Sequence, residues 1–278
     1  MMELLEKTEE LCRLYGIKPA RSKGQNFLIN EEVYDAVVVA AELRPDDLVL
    51  EVGPGLGFLT AKLAQKAGKV VAVELDDKLA AYLKTAIKTQ NLGNVEIINR
   101  DILSLSLNLA SETKYKIVAN LPYNISSKFL RKFLTTDHRP DLLVLLLQKE
   151  VAERIVAKPG EMSLLALSVQ FYAEAEIVRE VPSKDFYPAP EVQSAVIKIK
   201  TRPKHVHFSQ IEEKKFFQLA KFGFSAKRKM LKNNLSGGFH ISTAEAQEKI
   251  ENIGLAGKIR AEDLSVAEWL ELYKQFYS

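Results

Sequence analysis

The sequence predicts an α/β protein with a mostly parallel sheet of seven strands, followed by a small all-helical domain. Apolar, strand-like runs alternate with helical patterns between residues 48 and 200, and this order builds a parallel sheet covered by helices. The run 48–52 leads without a spacer into a cluster of glycines that opens a helix, as in Rossmann-like folds. From Phe208 onward the sequence shows helical patterns only. We therefore expect a sheet domain over residues 1–206 and a helical domain over residues 207–278.

Periodicity and turn residues define the individual elements. Residues 3–15 form an amphipathic helical pattern that ends at Gly16. Pro188 and Pro190 separate the last two strands, which we expect to pair like a hairpin, with the last strand antiparallel. The expected strands span 48–52, 69–75, 95–101, 115–121, 142–148, 174–181 and 192–200. The expected helices span 3–15, 31–42, 56–67, 76–90, 126–134, 149–157 and 161–171, then roughly 209–222, 225–235, 243–253 and 263–277.

The composition is that of an ordinary globular protein, with 278 residues of which 47% are hydrophobic and 27% charged. The acidic N-terminus lacks the apolar core of a signal peptide, and the longest purely apolar run, 142–147, is too short to cross a bilayer. We expect a cytoplasmic monomer with no membrane partner. The single cysteine, Cys12, excludes an internal disulfide, and four scattered histidines give no reason to expect a metal site.

The glycine cluster after the first strand indicates the ligand. Gly53, Gly55 and Gly57 follow a G-x-G-x-G spacing, whereas dinucleotide-binding proteins have G-x-G-x-x-G. Glycine permits positive φ angles and leaves room for a ligand against the main chain. This arrangement is typical of S-adenosylmethionine (SAM) methyltransferases, so we expect SAM as the cofactor.

Two acids follow the next strands at their carboxyl ends, where ligands bind in open α/β sheets. Glu74 lies about 20 residues beyond the glycines and is placed to accept the hydroxyls of a ribose. Alternatively, it is one of several acids at a helix start, with Asp76 and Asp77. Asp101 ends the third strand and is placed to accept the exocyclic amine of an adenine, unless it only begins a turn.

The fourth strand ends in Asn120-Leu121-Pro122-Tyr123, which carries the expected chemistry. Pro122 biases Leu121 toward an extended conformation, so that nearby carbonyls and the Asn120 amide oxygen can act as acceptors in the crevice. Tyr123 offers an aromatic face for a base drawn out of its helix. Acceptors that grip the adenine amine would localise its lone pair for attack on a sulfonium methyl. The alternative is a proline-stopped strand end with a core tyrosine.

Polar residues near the N-terminus are a further candidate site. Gln25 and Asn26 do not fit a packed core unless their amides are hydrogen-bonded. Either a ligand or a tight turn occupies them, and composition alone does not decide between the two.

Basic residues are concentrated in one segment. Residues 202 to 232 hold nine Lys or Arg against two Glu, a net of +7, which leaves −4 on the rest of a chain whose total is +3. Such segregation is the electrostatic pattern of a nucleic-acid partner. Within it, Lys227, Arg228 and Lys229 are expected to face RNA phosphates, although a charge run can also be a solvated helix face.

Five segments spread over nearly the whole chain carry a further signal: GQNFL (24–28), EVGPGLGFLT (51–60), NLPYNIS (120–126), FYPAPEVQSAV (186–196) and FSAKRKMLKNNL (224–235). Together, and in this order, they resemble the small-subunit ribosomal RNA adenine dimethyltransferases, the family of the bacterial kasugamycin-sensitivity enzyme. The resemblance implies that SAM is used to place two methyl groups on N6 of each of two adjacent adenosines near the 3′ end of small-subunit (16S-type) rRNA. It also implies the rRNA and an immature 30S-type particle as partners.

The resemblance also implies residue roles. Phe186 would be the second aromatic surface that closes on the flipped adenine opposite Tyr123, although a phenylalanine in a proline-rich turn can also pack on the sheet. Asn30 departs from the pattern, since relatives usually have Asp there. The implied SAM contacts are Asn26, Leu28, Gly53, Gly55, Glu74 for the ribose, Asp101 for the adenine and Asn120, which also borders the target base together with Leu121, Pro122 and Tyr123.

Two other functions are compatible with parts of the pattern. A relative could methylate another RNA adenine, as the large-subunit enzymes of macrolide resistance do with a similar Asn-x-Pro-Tyr core. Leu121 and the segment 224–235 argue against that reading. A non-enzymatic assembly or transcription factor could keep the fold and bind SAM or RNA without turnover, but the intact site residues argue against lost catalysis.

Overall fold

The computed structural model describes residues 2–19, 25–106, 114–203 and 211–277, with the main chain alone for Met2 and Tyr123. The chain divides into two compact units. The first spans Met1–Ala152 and Ala175–Thr201, and the second spans Glu153–Glu174 and Arg202–Ser278. The segment 153–174 therefore groups with the second unit, whereas the sequence interpretation assigned it to the sheet domain. The predicted boundary between the sheet domain and the helical domain, at residue 206, lies outside the described residues and stays a prediction.

Strands and helices follow the order expected from the sequence. None of the helices in the described ranges combines the length and apolar character needed to cross a bilayer. Two 3-10 turns, Tyr123–Ile125 and Ser183–Asp185, precede α5 and β8. The elements are α1 (Met2–Leu14), β1 (Phe27–Leu28), α2 (Glu31–Ala40), β2 (Leu48–Val52), α3 (Phe58–Ala64), β3 (Lys69–Glu74), α4 (Asp77–Thr89), β4 (Val95–Asn99), β5 (Tyr115–Asn120), α5 (Ser126–Leu134), β6 (Leu142–Gln148), α6 (Lys149–Ile155), α7 (Leu164–Gln170), β7 (Ala173–Val181), β8 (Phe186–Tyr187), β9 (Ser194–Thr201), α8 (Glu213–Gly223), α9 (Leu231–Phe239), α10 (Thr243–Glu251) and α11 (Val266–Tyr277).

The first unit is built on a seven-stranded sheet in the order β4-β3-β2-β5-β6-β9-β7. The five strands from β4 to β6 are parallel, and β9 runs antiparallel to β6. Leu50 pairs with Val71 on one side and with Ile117 on the other. The predicted Rossmann-like class is confirmed. Because the central strands β2, β5 and β6 are mainly apolar, they can be buried on both faces, as parallel sheets require.

The last two strands of the sheet are neighbours, as predicted, but no tight turn joins them. Between β7 and β9 the chain forms a 3-10 turn and then β8, which pairs antiparallel with β1 in a separate two-stranded sheet. Phe27 lies opposite Tyr187, and Leu28 lies opposite Phe186. The sequence interpretation did not anticipate this sheet, because a strand of two residues is too short to show a period.

The second unit is helical around Trp269, which is fully buried and stacks on Phe224 with ring centroids 5.5 Å apart. One prediction here is wrong: the helix expected over 225–235 begins only at Leu231. The buried Asn234 amide donates to the carbonyls of Gly223, at 2.6 Å, and Ala226, at 3.1 Å. These bonds satisfy carbonyls that a continuous helix would otherwise use, so α8 ends and residues 224–230 form turns.

Candidate active site

The glycine turn connects β2 to α3 and brings the main chain close to its neighbours. Gly53 and Gly55 have φ angles of +69° and +57°, in the left-handed region that favours glycine. A Cβ on Gly53 would lie 3.2 Å from the Asn120 carbonyl oxygen, and one on Gly55 would lie 3.3 Å from the Phe27 ring. Both positions therefore favour glycine. The positive φ angles agree with the sequence interpretation, and the room for a ligand that it also expected stays a prediction.

Glu74 ends β3 and reaches back to this turn. One carboxylate oxygen accepts from the Gly55 amide at 3.2 Å, and the other accepts from the Asp76 amide at 2.9 Å. Glu74 is buried, and this burial raises the pKa of its carboxyl while the two amide hydrogen bonds oppose the rise. The residue that caps α4 is Asp76, which accepts from the amides of Lys78 and Leu79. Glu74 is thus a member of the glycine site, and its contact with a ribose stays a prediction.

Glu51 is a site residue that the sequence interpretation missed. It is 1% exposed, and neither carboxylate oxygen has a hydrogen-bond partner among the described residues. The pKa of Glu51 is raised to about 8, mainly by burial and to a smaller extent by the Glu74 carboxylate. The neighbouring Thr60 hydroxyl opposes this rise, although it does not form a hydrogen bond with Glu51 in this conformation. The available signal was a lone acid in the apolar run 48–52, directly before the glycines.

Asn120 ends β5 beside the glycine turn. Its amide nitrogen donates to the Asn26 carbonyl at 3.4 Å, which leaves the side-chain oxygen available as an acceptor. A small cavity of about 30 Å³ is lined by Asn120, Glu51, Gly53 and Gly55, among other residues. Four predicted or newly found site residues therefore meet at the carboxyl edge of the sheet.

The segment after Asn120 has the predicted break from strand to turn. Leu121 is buried, and its amide donates to the Leu146 carbonyl at 3.3 Å. Pro122 is extended, with φ −55° and ψ 132°, and the main chain of Tyr123 begins the 3-10 turn. The Pro122 carbonyl accepts from the Ile125 amide at 3.2 Å, so one of the acceptors expected for the crevice already closes this turn.

Phe186 is 3% exposed and belongs to the same hydrophobic cluster as Leu28 and Tyr34. In this conformation the ring packs in the core, as the alternative interpretation expected, and its face is covered. Leu28 is buried as well, and its carbonyl accepts from the Tyr34 hydroxyl at 2.8 Å. Stacking of Phe186 on a base stays a prediction that requires the surrounding side chains to move.

Asp101 lies beyond β4 and is exposed. One of its carboxylate oxygens accepts from the Leu103 amide at 2.8 Å, and its carbonyl accepts from the Ser104 and Leu105 amides. Asp101 therefore does begin a turn. It also follows directly on Arg100, whose amide donates to the Glu74 carbonyl at 3.0 Å, so it lies near the glycine site and its adenine role stays open as a prediction.

The basic residues of the second unit are solvent-accessible. Lys227, Arg228 and Lys229 are all exposed in the turns before α9. They do not lie along a helix face, contrary to the expectation that a helix spans 225–235. His205 and His207, which fall within the basic segment 202–232, lie outside the described residues.

Comparison with known proteins decides the family. Residues 17–277 match the family described as ribosomal RNA adenine dimethylase. The chain belongs to this family. Because family members transfer methyl groups to adenine, the chain is an rRNA adenine dimethylase that uses SAM as its methyl donor.

Similar dimethylases occur in several bacteria. The protein named ribosomal RNA small subunit methyltransferase A of Dehalococcoides mccartyi strain 195 is 42% identical over 268 residues, which cover 96% of this chain and 91% of that protein. The protein of the same name from Alkaliphilus metalliredigens is 36% identical over 277 residues, which cover 97% and 96% of the two chains.

Two solved structures have the same fold as this dimethylase. A dimethyladenosine transferase from Plasmodium falciparum has a TM-score of 0.78 at 24% identity, covering 88% of this chain and 95% of that one. The 23S rRNA methyltransferase ErmE has a TM-score of 0.74 at 25% identity, covering 91% of this chain and 100% of that one.

The residues of this dimethylase fit SAM on structural grounds. SAM carries two positive charges, one on its sulfonium and one on its α-ammonium group. The site offers two buried carboxylates, of which Glu51 has no partner among the described residues, beside main chain that only glycine leaves open. An unpaired buried carboxylate is costly, and a positively charged ligand removes that cost. Two buried acids beside the glycine turn therefore suit a ligand with positive groups rather than an anionic dinucleotide.

Proposed function

We propose that this protein transfers methyl groups from SAM to N6 of two adjacent adenosines near the 3′ end of small-subunit (16S) rRNA, during biogenesis of the small ribosomal subunit. The named relatives at 36% to 43% identity are small-subunit enzymes, whereas the large-subunit enzyme ErmE is 25% identical. This difference supports a small-subunit substrate over the large-subunit alternative.

One observation carries the proposal: Asn120, Asn26, the glycine turn and Glu74 are connected by direct contacts at one edge of the sheet. A methyl donor and a target base must meet within bonding distance, so their binding residues must share one crevice. Here the acceptor proposed for the base, Asn120, also lies against Gly53 of the cofactor turn.

For cofactor binding, we assign the methionine and adenosine ends of SAM to Asn26, Leu28 and the main chain at Gly53 and Gly55. Glu74 binds the ribose, and Asp101 binds the adenine. We add Glu51: with a pKa raised to about 8, its carboxyl is mostly protonated in the ligand-free protein at neutral pH, and a positive group of SAM bound beside it would favour the ionised form. Bound SAM supplies a methyl group on a positively charged sulfur, which makes that methyl an electrophile.

For the transfer step, the residues of the chain hold the target amine. The Asn120 side-chain oxygen and a main-chain carbonyl of Leu121 or Pro122 accept the two hydrogens of adenine N6. These bonds localise the nitrogen lone pair toward the methyl group, and they strengthen as positive charge develops on the nitrogen. The sulfur keeps the electron pair of the broken bond, S-adenosylhomocysteine leaves, and the nitrogen loses one proton to solvent. In the second transfer one N6 hydrogen remains for these acceptors. Tyr123 and Phe186 stack on the two faces of the flipped base, which requires that the Phe186 ring become accessible.

For substrate binding, we assign phosphate contacts to Lys227, Arg228 and Lys229 in the helical domain. Exposed basic side chains on a separate unit fit a large, folded RNA target. We further propose that an immature 30S-type particle is the physiological partner, that the enzyme acts as a monomer, and that it works in the cytoplasm, where such particles are assembled.

The test is primer extension across the 3′ region of small-subunit rRNA in cells with and without the gene. Dimethylated N6 blocks Watson–Crick pairing, so reverse transcriptase should stop at two adjacent adenosines only when the gene is present. The same reaction on large-subunit rRNA is the control for the ErmE-like activity. Stops on the large-subunit RNA, or identical patterns with and without the gene, would refute the proposal.

A methylation assay then defines the substrate. Purified protein and labelled SAM are mixed either with free 16S-type RNA or with salt-stripped small subunits from gene-deleted cells. Label on the particle alone would support the pre-subunit partner. Binding of either RNA without label would point to an assembly factor instead.

A further inference from the structure

The two short strands outside the main sheet are joined by side chains as well as by main chain. In addition to the pairing of Leu28 with Phe186, the Ile29 amide donates to the Asp185 carbonyl at 2.8 Å. The Asn30 side-chain nitrogen donates to the Asp185 carboxylate at 3.0 Å. Asp185 thus binds the two residues that follow β1, Ile29 with its main chain and Asn30 with its side chain.

The Asp185 side chain is buried, so its carboxylate needs a hydrogen-bond donor from the protein. It is 2% exposed, and its second oxygen has no partner among the described residues. The bond from Asn30 is therefore its compensating side-chain contact. An acid buried in this way is retained at a cost in stability, which points to a role in holding a particular geometry.

The contact with Asp185 explains why an amide, and not an acid, occupies position 30. Its side-chain oxygen caps α2 by accepting from the Glu32 amide at 3.0 Å, and its nitrogen binds Asp185. Aspartate would cap the helix equally well. It would also place two carboxylates about 3 Å apart in a buried site, where like charges repel strongly.

The two hydrogen bonds from Ile29 and Asn30 to Asp185, called the Asn30–Asp185 link below, connect the two halves of the proposed active site. On the β1 side, the Asn26 carbonyl accepts from Asn120, and the Leu28 carbonyl accepts from Tyr34. On the β8 side lies Phe186, directly after Asp185. The strand that carries cofactor contacts and the strand that carries the base-stacking ring are therefore one hydrogen-bonded unit.

We propose that Asp185, through Asn30 and Ile29, is a positioning residue that couples cofactor binding on β1 to the placement of Phe186 on β8. The proposal rests on the roles assigned above to Asn26, Leu28 and Phe186. Binding of SAM or of its product orders β1, and because β8 is tied to β1, the base side of the site is ordered at the same time.

Hydrogen exchange of the wild-type protein tests this coupling without RNA. S-adenosylhomocysteine is added at saturation, and exchange is followed by mass spectrometry in peptides covering residues 26–30 and 185–189. We expect the ligand to slow exchange by at least about threefold in both segments. Protection confined to 26–30, or absent from both segments, overturns the proposal.

Single and double charge variants at positions 30 and 185 test the Asn30–Asp185 link itself. Asn30→Asp sets two carboxylates against each other, and adding Asp185→Asn restores a donor and an acceptor in reversed order. In Asn30→Asp the ligand should protect 26–30 but no longer 185–189, and in the double variant protection should return to both. The exposed Glu31→Gln, at the start of the same helix, is the control for a charge change that leaves the link intact. A double variant that behaves like Asn30→Asp overturns the proposal.

Turnover on salt-stripped small subunits separates positioning from simple loss of structure. Asn30→Asp should lower kcat by about tenfold, because small displacements of a reacting group are costly, while S-adenosylhomocysteine affinity changes by less than about threefold. The double variant should recover to within about threefold of wild type. A kcat for Asn30→Asp equal to wild type overturns the coupling. If the wild-type protein is inactive on these particles but exchange still spreads to 185–189, the proposed function fails and the link stands.

Discussion

Glu51→Gln should change how the stability of the ligand-free protein depends on pH. The carboxyl is 1% exposed, and its pKa rises from an ordinary value of 4.5 to about 8 in the folded protein. Since the folded state holds this proton more tightly than the unfolded chain does, its contribution to stability is fully present below pH 4.5 and is lost as the pH rises through 8.

The size of the effect follows from the same two pKa values. Each unit of difference corresponds to about 1.4 kcal/mol, so the stability that the wild type loses through Glu51, relative to low pH, is about 1 kcal/mol at pH 5 and about 3 kcal/mol at pH 7. Glutamine has nearly the same shape and does not titrate. The free energy of unfolding of Glu51→Gln, relative to wild type, should therefore increase by about 2 kcal/mol between pH 5 and pH 7.

Urea unfolding of both proteins at pH 5, 6, 7 and 8 measures this difference. A constant offset is expected from burying an amide, and the slope with pH is the informative quantity. Glu74 also has a raised pKa but is present in both proteins, so its effect largely cancels. The exposed Glu176→Gln is the control, with a slope equal to that of wild type. Parallel curves for wild type and Glu51→Gln would show that Glu51 does not titrate in this range.

Three further predictions concern the reaction, the RNA and the helical unit. Asn120→Ala should leave SAM affinity within about tenfold while turnover falls by about 10² or more, because it removes an acceptor used in the transition state. Calorimetry measures the affinity and a methylation assay measures the turnover. Unchanged turnover would refute the role of Asn120. Replacing Lys227, Arg228 and Lys229 with Ala should flatten the log-log salt dependence of RNA binding by about 2 to 3, and an unaltered slope would mean that they are only solvated. Asn234→Ala should lower the unfolding free energy by about 2 kcal/mol, since the buried Gly223 carbonyl loses its side-chain donor and the Ala226 carbonyl keeps only the Lys229 amide. The exposed Asn233→Ala on the same helix should have little effect, and equal losses in the two would contradict the capping role of Asn234.

Local patterns were sufficient for the sheet and for the glycine turn. The strands from 48 to 148 are short runs rich in apolar residues. Gly53 and Gly55 stand where glycine is favoured by the positive φ angles and by close contacts. The helix over 225–235 was misplaced because the break between α8 and α9 depends on Asn234, whose amide binds carbonyls 8 and 11 residues earlier in the chain. Sequence periodicity does not report such a contact.

Residue types and their order by themselves determined the fold class, the cofactor turn and the order of Glu74, Asp101 and Asn120 along the chain. Those features arise from backbone sterics and from apolar periodicity, which act over a few residues. Only the tertiary structure decided that Glu51 is a buried acid without a partner among the described residues, and that β1 pairs with β8. It also placed Asn30 against Asp185, 155 residues away. Burial and long-range pairing depend on which segments come together, and the free energy of a carboxylate depends on those surroundings.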